Sequence, residues 1–246
     1  MVIMAATTVL PRPTTVAARH PVRDARTWVV GCSTVALGPM VVVHIAGQGI
    51  VDPVAQPISH YAFVPTGYQM ILLGSVLLAI ASIAIATTMI GRARRSGDVR
   101  LGLPAVLLVS FAVAMLLVGL VPTDPPGTTV LTWGATVHRW SAAYAFAVLP
   151  VIGLLACRCE ALGARSRAQL WALSLAVCIG TAVVFAIHLP LAVQGSHIPL
   201  FGLVERVGFV VMVAFLVVLA GMLRPTATAV GPDPFPAGAT ARTLVG

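Results

Sequence analysis

A bundle of six membrane-spanning helices is the fold this sequence predicts, and three observations predict it. First, 59% of the 246 residues are hydrophobic and 9% are charged, against about 25% charged in a soluble domain; the mean hydropathy is +1.00. Second, six apolar stretches reach the roughly 20 residues a helix needs to cross a bilayer: Thr27 to Gly47, Gly67 to Gly91, Leu101 to Val121, Gly134 to Cys157, Gln169 to Leu189 and Leu203 to Leu223. None alternates polar and apolar residues as a barrel strand would, so the spans are helices. Third, the basic residues are sorted by side. All 15 are arginine, and 13 fall before the first span, after the second, after the fourth or after the sixth. That is the positive-inside pattern, and it predicts a multi-pass plasma-membrane protein with both termini cytoplasmic. The net charge of +8 is thereby accounted for by a cytoplasmic rim facing anionic lipid heads, with no nucleic-acid partner.

In chain order, residues 1–26 read as a flexible cytoplasmic leader, with Pro11, Pro13 and Pro21 among scattered arginines and no apolar core suited to a cleaved signal. The first span opens near Trp28, an interfacial anchor, and is expected to kink at Gly38-Pro39. His44 stands near its outer end, where water or a backbone carbonyl is the expected partner. The outer loop Gln48 to Thr66 is expected to be structured, with Asp52, Ser59 capping a short helix, His60, and Tyr61 and Tyr68 at headgroup level. The second span is lined with small residues from Gly74 to Ala86, which permits close helix approach. It is expected to end in the turn Gly91-Arg-Ala-Arg-Arg-Ser-Gly.

The third span carries no charge and stops at Pro122. In Thr123-Asp124-Pro125-Pro126-Gly127 the prolines stiffen the chain and hold Asp124 in a turn. Its carboxylate is expected to cap a helix, to bind Arg139, or to serve as a base or metal ligand. Trp133 and Trp140 mark the outer interface of the fourth span. His138 and Arg139, being adjacent, point about 100° apart, so at least one of them faces the bundle. The fourth span leaves through Cys157-Arg158-Cys159, a poor zinc motif. With Cys32 and Cys178 inside spans, no outer disulfide is expected. The fifth span ends at His188-Leu-Pro190, and a loop containing His197 leads to Glu205-Arg206 at the outer end of the sixth. Glu205 is expected to pair with Arg139, and Arg206 with Asp124 or a lipid phosphate. Residues 224–246 form a Pro/Gly/Ala/Thr tail too poor in large apolar groups to fold alone.

Taken together, Pro122 to Gly127, His138-Arg139, the upstream Ile58-Ser59-His60-Tyr61-Ala62 and the downstream Glu205-Arg206 resemble the actinobacterial branch of the membrane-protein family catalogued as domain of unknown function 998. The likeness covers about residues 27–223. It implies a six-helix membrane bundle and carries over neither an activity nor catalytic residues. Family members are more polar around the Ser-x-Tyr-Ala segment than Gln56-Pro57 is here, which argues against catalysis by that loop. The lack of lysine and the abundance of Ala, Val and Arg suit a high-GC bacterial genome.

The same polar residues carry the functional expectation. His44, His60, His138, His188 and His197, the acids Asp52, Asp124 and Glu205, and the two arginines outside the positive-inside pattern, Arg139 and Arg206, all map to the outer third. Ionisable groups in a bilayer are kept with partners or for a task, so an outward-facing polar pocket follows. The leading reading is a protein that binds a lipid, a small molecule or a partner protein there, with Arg139, Arg206, Ser59, Tyr61, His44 and His188 as ligand contacts. The alternative is a membrane-embedded enzyme acting on a lipid or isoprenoid-like substrate, with His138 as general acid or base and Asp124 or Glu205 orienting it. No cofactor is implied, and no His-x-x-x-His spacing points to a metal. Haem ligation and midplane proton coupling rank lower, since no histidine lies in the inner half and no charge at the midplane.

Overall fold

The computed structural model describes residues 25–159, 164–193 and 200–222. The expected leader up to residue 24, the tail and His197 lie outside these residues, and the His188 side chain is also outside the description; Ala25 and Arg26, expected in the leader, open the first helix. The chain forms helices α1 (Ala25–Val35), α2 (Leu37–Ala46), α3 (Gly67–Ser96), α4 (Gly102–Leu120), α5 (Trp133–Ala156), α6 (Ala164–Val193) and α7 (Phe201–Met222), with 3-10 turns at Ile58–Phe63 and Val99–Leu101. Six spans result, because α1 and α2 form one interrupted span, Thr27–Ala46. No strand occurs among the described residues.

The break at Ala36 realises the kink expected at Gly38-Pro39. Pro39 falls in the first turn of α2, where a missing N–H costs no helical bond. Gly74 of α3 lies against this break, where an added Cβ would stand 3.6 Å from the Ala36 carbonyl oxygen. The small-residue face of α3 is buried as expected, through Gly74, Ser75, Ala79, Ala81, Ser82 and Ala86. At its closest crossing with α4, a Cβ on Gly119 would come within 2.9 Å of the Ser75 Cβ.

Two boundaries differ from expectation. The arginine-rich segment after Gly91 is helix, not turn: α3 continues to Ser96 and is closed by Gly97 in the left-handed region at φ 71°. Alanine and arginine are good helix formers, and a helix of 30 residues is about 45 Å long, so the arginines project beyond the about 30 Å hydrocarbon layer. α6 likewise runs through Pro190 to Val193. Proline there forfeits the bond to Ala186 and leaves only the last turn to be held by its neighbours.

The core fills the half of the bundle nearest the arginine-rich ends, with Leu78, Ile85, Met89, Leu108, Phe111, Ile152, Phe215 and Leu219 fully buried. There α5, α6 and α7 meet at Gly153, where a Cβ would collide with the Ser174 hydroxyl and come within 2.5 Å of Phe215 Cζ. A smaller cluster, Val43, Val51, Tyr61, Val64 and Ile71, sits at the opposite end beneath the first loop. Large apolar side chains cover the outside, and Trp28, Trp171, Trp133 and Trp140 are each more than half exposed. The first two stand near the arginine-rich end and the last two near the other, as interfacial belts require.

At the arginine-rich end Cys159 is buried. Burial, and then Asp98, push its thiol up to about 11. It is a packed thiol, not a reactive thiolate.

Candidate functional site

The polar residues at the loop end fall into three groups. The first joins α4 to α5. Both Asp124 carboxylate oxygens are taken by Thr132: the Thr132 amide donates to Oδ2 at 2.9 Å and its hydroxyl to Oδ1 at 2.7 Å. Thr132 in turn caps α5, accepting from the Ala135 amide at 3.2 Å. The turn that delivers Asp124 is built as its sequence requires, with Gly127 at φ 84° and the Thr128 amide bonded to Pro125 O at 3.2 Å, a type II turn with Pro126 and Gly127 at its centre.

Asp124 therefore caps indirectly, through Thr132. The Ser/Thr helix-start signal at Thr132 was present in the sequence, just before Trp133, and was missed there. Thr132→Ala is expected to cost about 1 kcal/mol, as loss of an N-cap does, read by thermal unfolding in detergent. The Thr132 hydroxyl, then its amide, hold the Asp124 carboxyl below its ordinary value, against a smaller effect of burial and with help from Arg139. A depressed carboxylate contributes stability above its unfolded pKa of about 3.9 and loses it as pH falls through the folded value. Asp124→Asn should remove this acid-side decline.

His138 completes the junction. Its Nδ1 lies 2.9 Å from Val121 O, and a carbonyl can only accept, so Nδ1 carries a proton and donates it there. Tyr68 donates its hydroxyl to Leu120 O at 3.2 Å. Two carbonyls freed at the end of α4 are thus satisfied by side chains from its neighbours. Of the adjacent pair, His138 is buried and Arg139 is exposed.

The second group ties the first loop to α7. Arg206 donates from Nε to His44 Nε2 at 2.7 Å, and from Nη1 to Gln56 O at 3.0 Å and Gly202 O at 2.7 Å. His44 donates from Nδ1 to Met40 O at 2.7 Å. Tyr61 packs against both, with its ring centroid 4.7 Å from that of His44 and 5.3 Å from the guanidinium carbon. The Leu203 amide bonds Val54 O at 3.2 Å. Gly202 is required by proximity: a Cβ would collide with Gln56 O and stand 2.8 Å from Pro53 O.

These contacts replace the expected pairings. Arg206 reaches one loop carbonyl, a carbonyl of its own helix and an imidazole instead of Asp124, and Glu205 accepts from the Ile58 amide at 2.7 Å instead of pairing with Arg139. Tyr61, expected at headgroup level, is 1% exposed, its ring packed against the His44 imidazole and the Arg206 guanidinium. Ser59 does not cap: Pro57 precedes the 3-10 turn and no side chain bonds its start. Arg206 Nη2 and His60 Nδ1 are buried without a hydrogen-bond partner.

His60 is pushed below its ordinary value, first by burial and then by Arg139. The unfolded chain takes up this proton near pH 6.5 and the folded chain only at lower pH. Stability from this group is therefore full above about pH 6.5 and declines below it until the folded value is passed. Melting temperature should fall as pH drops below about 6.5, and His60→Gln should reduce that fall.

The third group lines a partly open cavity of about 80 Å³ between α2, α3, α4, α5, α7 and the 3-10 turn. One water needs about 10–15 Å³, so the space admits more than a solvent molecule. Ser59, Ser75, His138 and Glu205 are its polar side chains, set among Met40, Met70, Met115, Met212, Phe146 and Phe209. The structure thus brings together His138, Glu205 and Ser59. Asp124, Arg139, Arg206, Tyr61 and His44 do not line the cavity. The four methionines come from four helices, and no spacing in the chain announces them. Among the described residues no three His, Cys, Asp or Glu side chains converge as metal ligands.

A helical bundle with six spans long and apolar enough to cross a bilayer, tryptophans near both ends and an acid and an imidazole on an internal cavity define a multi-pass membrane protein. The family model for a protein of unknown function, DUF998, matches residues 29–222, and the chain belongs to that family. No curated protein and no solved structure matches the chain.

Proposed function

We propose that this protein sits in the plasma membrane with both termini in the cytoplasm, and binds a lipid or other small amphiphile in the cavity of its outward-facing half. The observation that carries the reading is the cavity itself, where His138, Glu205 and Ser59 stand in a lining otherwise made of thioether, aromatic and aliphatic groups. A mostly apolar concavity with a few convergent polar groups is the usual form of a small-molecule site, although such sites span roughly 300–1,000 Å³. At about 80 Å³ and partly open, this one would take the head of an amphiphile with its chain running out through the open side. Methionine lets such a wall adapt to its occupant. The orientation rests on the arginines, and the lysine-free composition suits an actinobacterial member of the family.

Native mass spectrometry of the purified protein tests the reading against Ala142→Trp, which fills the cavity from its α5 wall. A specific lipid or small molecule retained by the parent and lost from a variant that still melts cooperatively supports binding. An identical adduct pattern in both would refute it. For orientation, Thr129→Cys should react with a membrane-impermeant maleimide in intact cells. Val99→Cys, at a position 84% exposed, should react only after permeabilisation, and the reverse result inverts the topology.

A second reading, an enzyme acting on a lipid or isoprenoid-like substrate, is favoured by one observation: His138 and Glu205 share the cavity. Glu205 would then be the carboxylate of the pair, since both oxygens of Asp124 serve Thr132. Chemical change in the retained molecule, abolished by His138→Gln in a protein that still binds it, distinguishes catalysis from binding alone.

A further inference from the structure

The charge character of the cavity wall narrows what it can hold. Resting on the binding reading above, we infer that the pocket selects a hydrophobic amine, an ammonium group on an apolar body, over phosphate- or carboxylate-headed amphiphiles.

The polar lining consists of two hydroxyls, an imidazole and a carboxylate, and contains no arginine. Glu205 uses Oε2 to accept from the Ile58 amide, which fixes the carboxylate and leaves its other oxygen for a donor. His138 spends its Nδ1 proton on Val121 O. Ser59 and Ser75 can donate or accept. The wall therefore carries one acid beside two hydroxyls and an imidazole. A phosphate placed there would meet the Glu205 carboxyl with no guanidinium in the cavity lining to bind it, and against ionised Glu205 the like charges would repel in a low-dielectric site.

Neither Arg139 nor Arg206 is part of the cavity lining. Arg139 lies on the exposed side of α5. Arg206 follows Glu205 in sequence but points to the loop, bonded to His44, Gln56 and Gly202 with its guanidinium over Tyr61.

The apolar part of the wall points the same way. Phe146 and Phe209 present aromatic rings, and aromatic faces attract cations through their quadrupole. Four thioethers add polarisable, deformable surface. A carboxylate in apolar surroundings is retained when a cation and hydrogen bonds compensate it. An ammonium supplies both, donating to Glu205 and to the serine hydroxyls while its hydrocarbon body lies on methionine and phenylalanine.

The experiment uses the full chain in lipid nanodiscs, with empty nanodiscs as background, and four probes sharing an n-decyl chain: decylamine, decanol, decanoate and decyl phosphate. Decylamine is expected to bind at least about tenfold more tightly than decanol, and the two anions more weakly than either; tenfold corresponds to about 1.4 kcal/mol. Glu205→Gln, which keeps an acceptor for the Ile58 amide, should bring the amine-to-alcohol ratio to about one.

The ranking is read on the unaltered protein, so it stands even where a variant fails to fold. If decanol binds and Ala142→Trp abolishes it, but the amine has no advantage or an anion binds best, the amine inference is overturned and the pocket remains. If no probe binds above background, both readings fall.

Discussion

Replacing Arg206 with methionine is expected to destabilise the protein by about 3 kcal/mol, the scale of losing hydrogen bonds to a charged group together with a cation–π contact. One guanidinium holds three elements together: α2 through His44, the first loop through Gln56, and its own helix through Gly202. Methionine fills much of the volume but leaves the His44 lone pair and the Gln56 carbonyl without donors. Arg206→Lys keeps the charge and lacks the planar fork, so it should recover only part of the loss. Unfolding in mixed micelles measures the effect, and a double-mutant cycle with His44→Leu should show less than additive losses. Strict additivity would mean that the 2.7 Å contact contributes nothing.

Gly67→Ala is expected to lower stability by about 1–3 kcal/mol, the usual scale for overpacking, although helix propensity alone predicts a gain of about 1 kcal/mol for the same change. The opposite signs make the measurement decisive. Gly67 opens α3 with the Tyr61 backbone pressed against it: a Cβ there would collide with the Tyr61 carbonyl oxygen and crowd Val64. The obstacle is backbone, so relief requires the 3-10 turn to move, and with it the buried Tyr61 ring against His44 and Arg206. A stabilised Gly67→Ala protein would show that the turn moves freely and that its packing on α3 is unimportant.

The two predictions bear on the cavity because the same loop roofs it. Ile58 and Ser59 of the turn are part of its wall, and the turn is held down by Glu205 from below, by Arg206 at Gln56 and by Leu203 at Val54. Glu205 and Arg206, neighbours in sequence, thus divide two tasks. The acid faces the cavity and the base fastens its cover. A variant that loosens Arg206 is expected to weaken ligand retention as well as stability, whereas Glu205→Gln acts on selectivity.

By itself the sequence determined the class and the spans. Hydropathy is a property of each residue, and lipid compels every backbone amide and carbonyl to bond internally, so long apolar runs have only the helix available. It also determined the turn at Asp124, because two prolines and a glycine leave few backbone choices, and the break in the first span at Gly38-Pro39. It placed the polar residues at one end of the bundle.

The tertiary structure alone decided which of them meet. Helices in lipid are apolar all round, so no polar stripe marks the inward face, and the methionines of the cavity look like any core residue until four helices bring them together. Adjacent residues point about 100° apart on a helix, and the chain does not say which of Glu205 and Arg206 turns inward. Packing settled that: Gly202 allows the loop to approach α7, the loop offers a carbonyl to the guanidinium and an amide to the carboxylate, and each group takes the partner its chemistry can bond. The expected Glu205–Arg139 and Arg206–Asp124 pairs gave way for this reason, since backbone groups freed in a tight loop must be satisfied wherever they are buried.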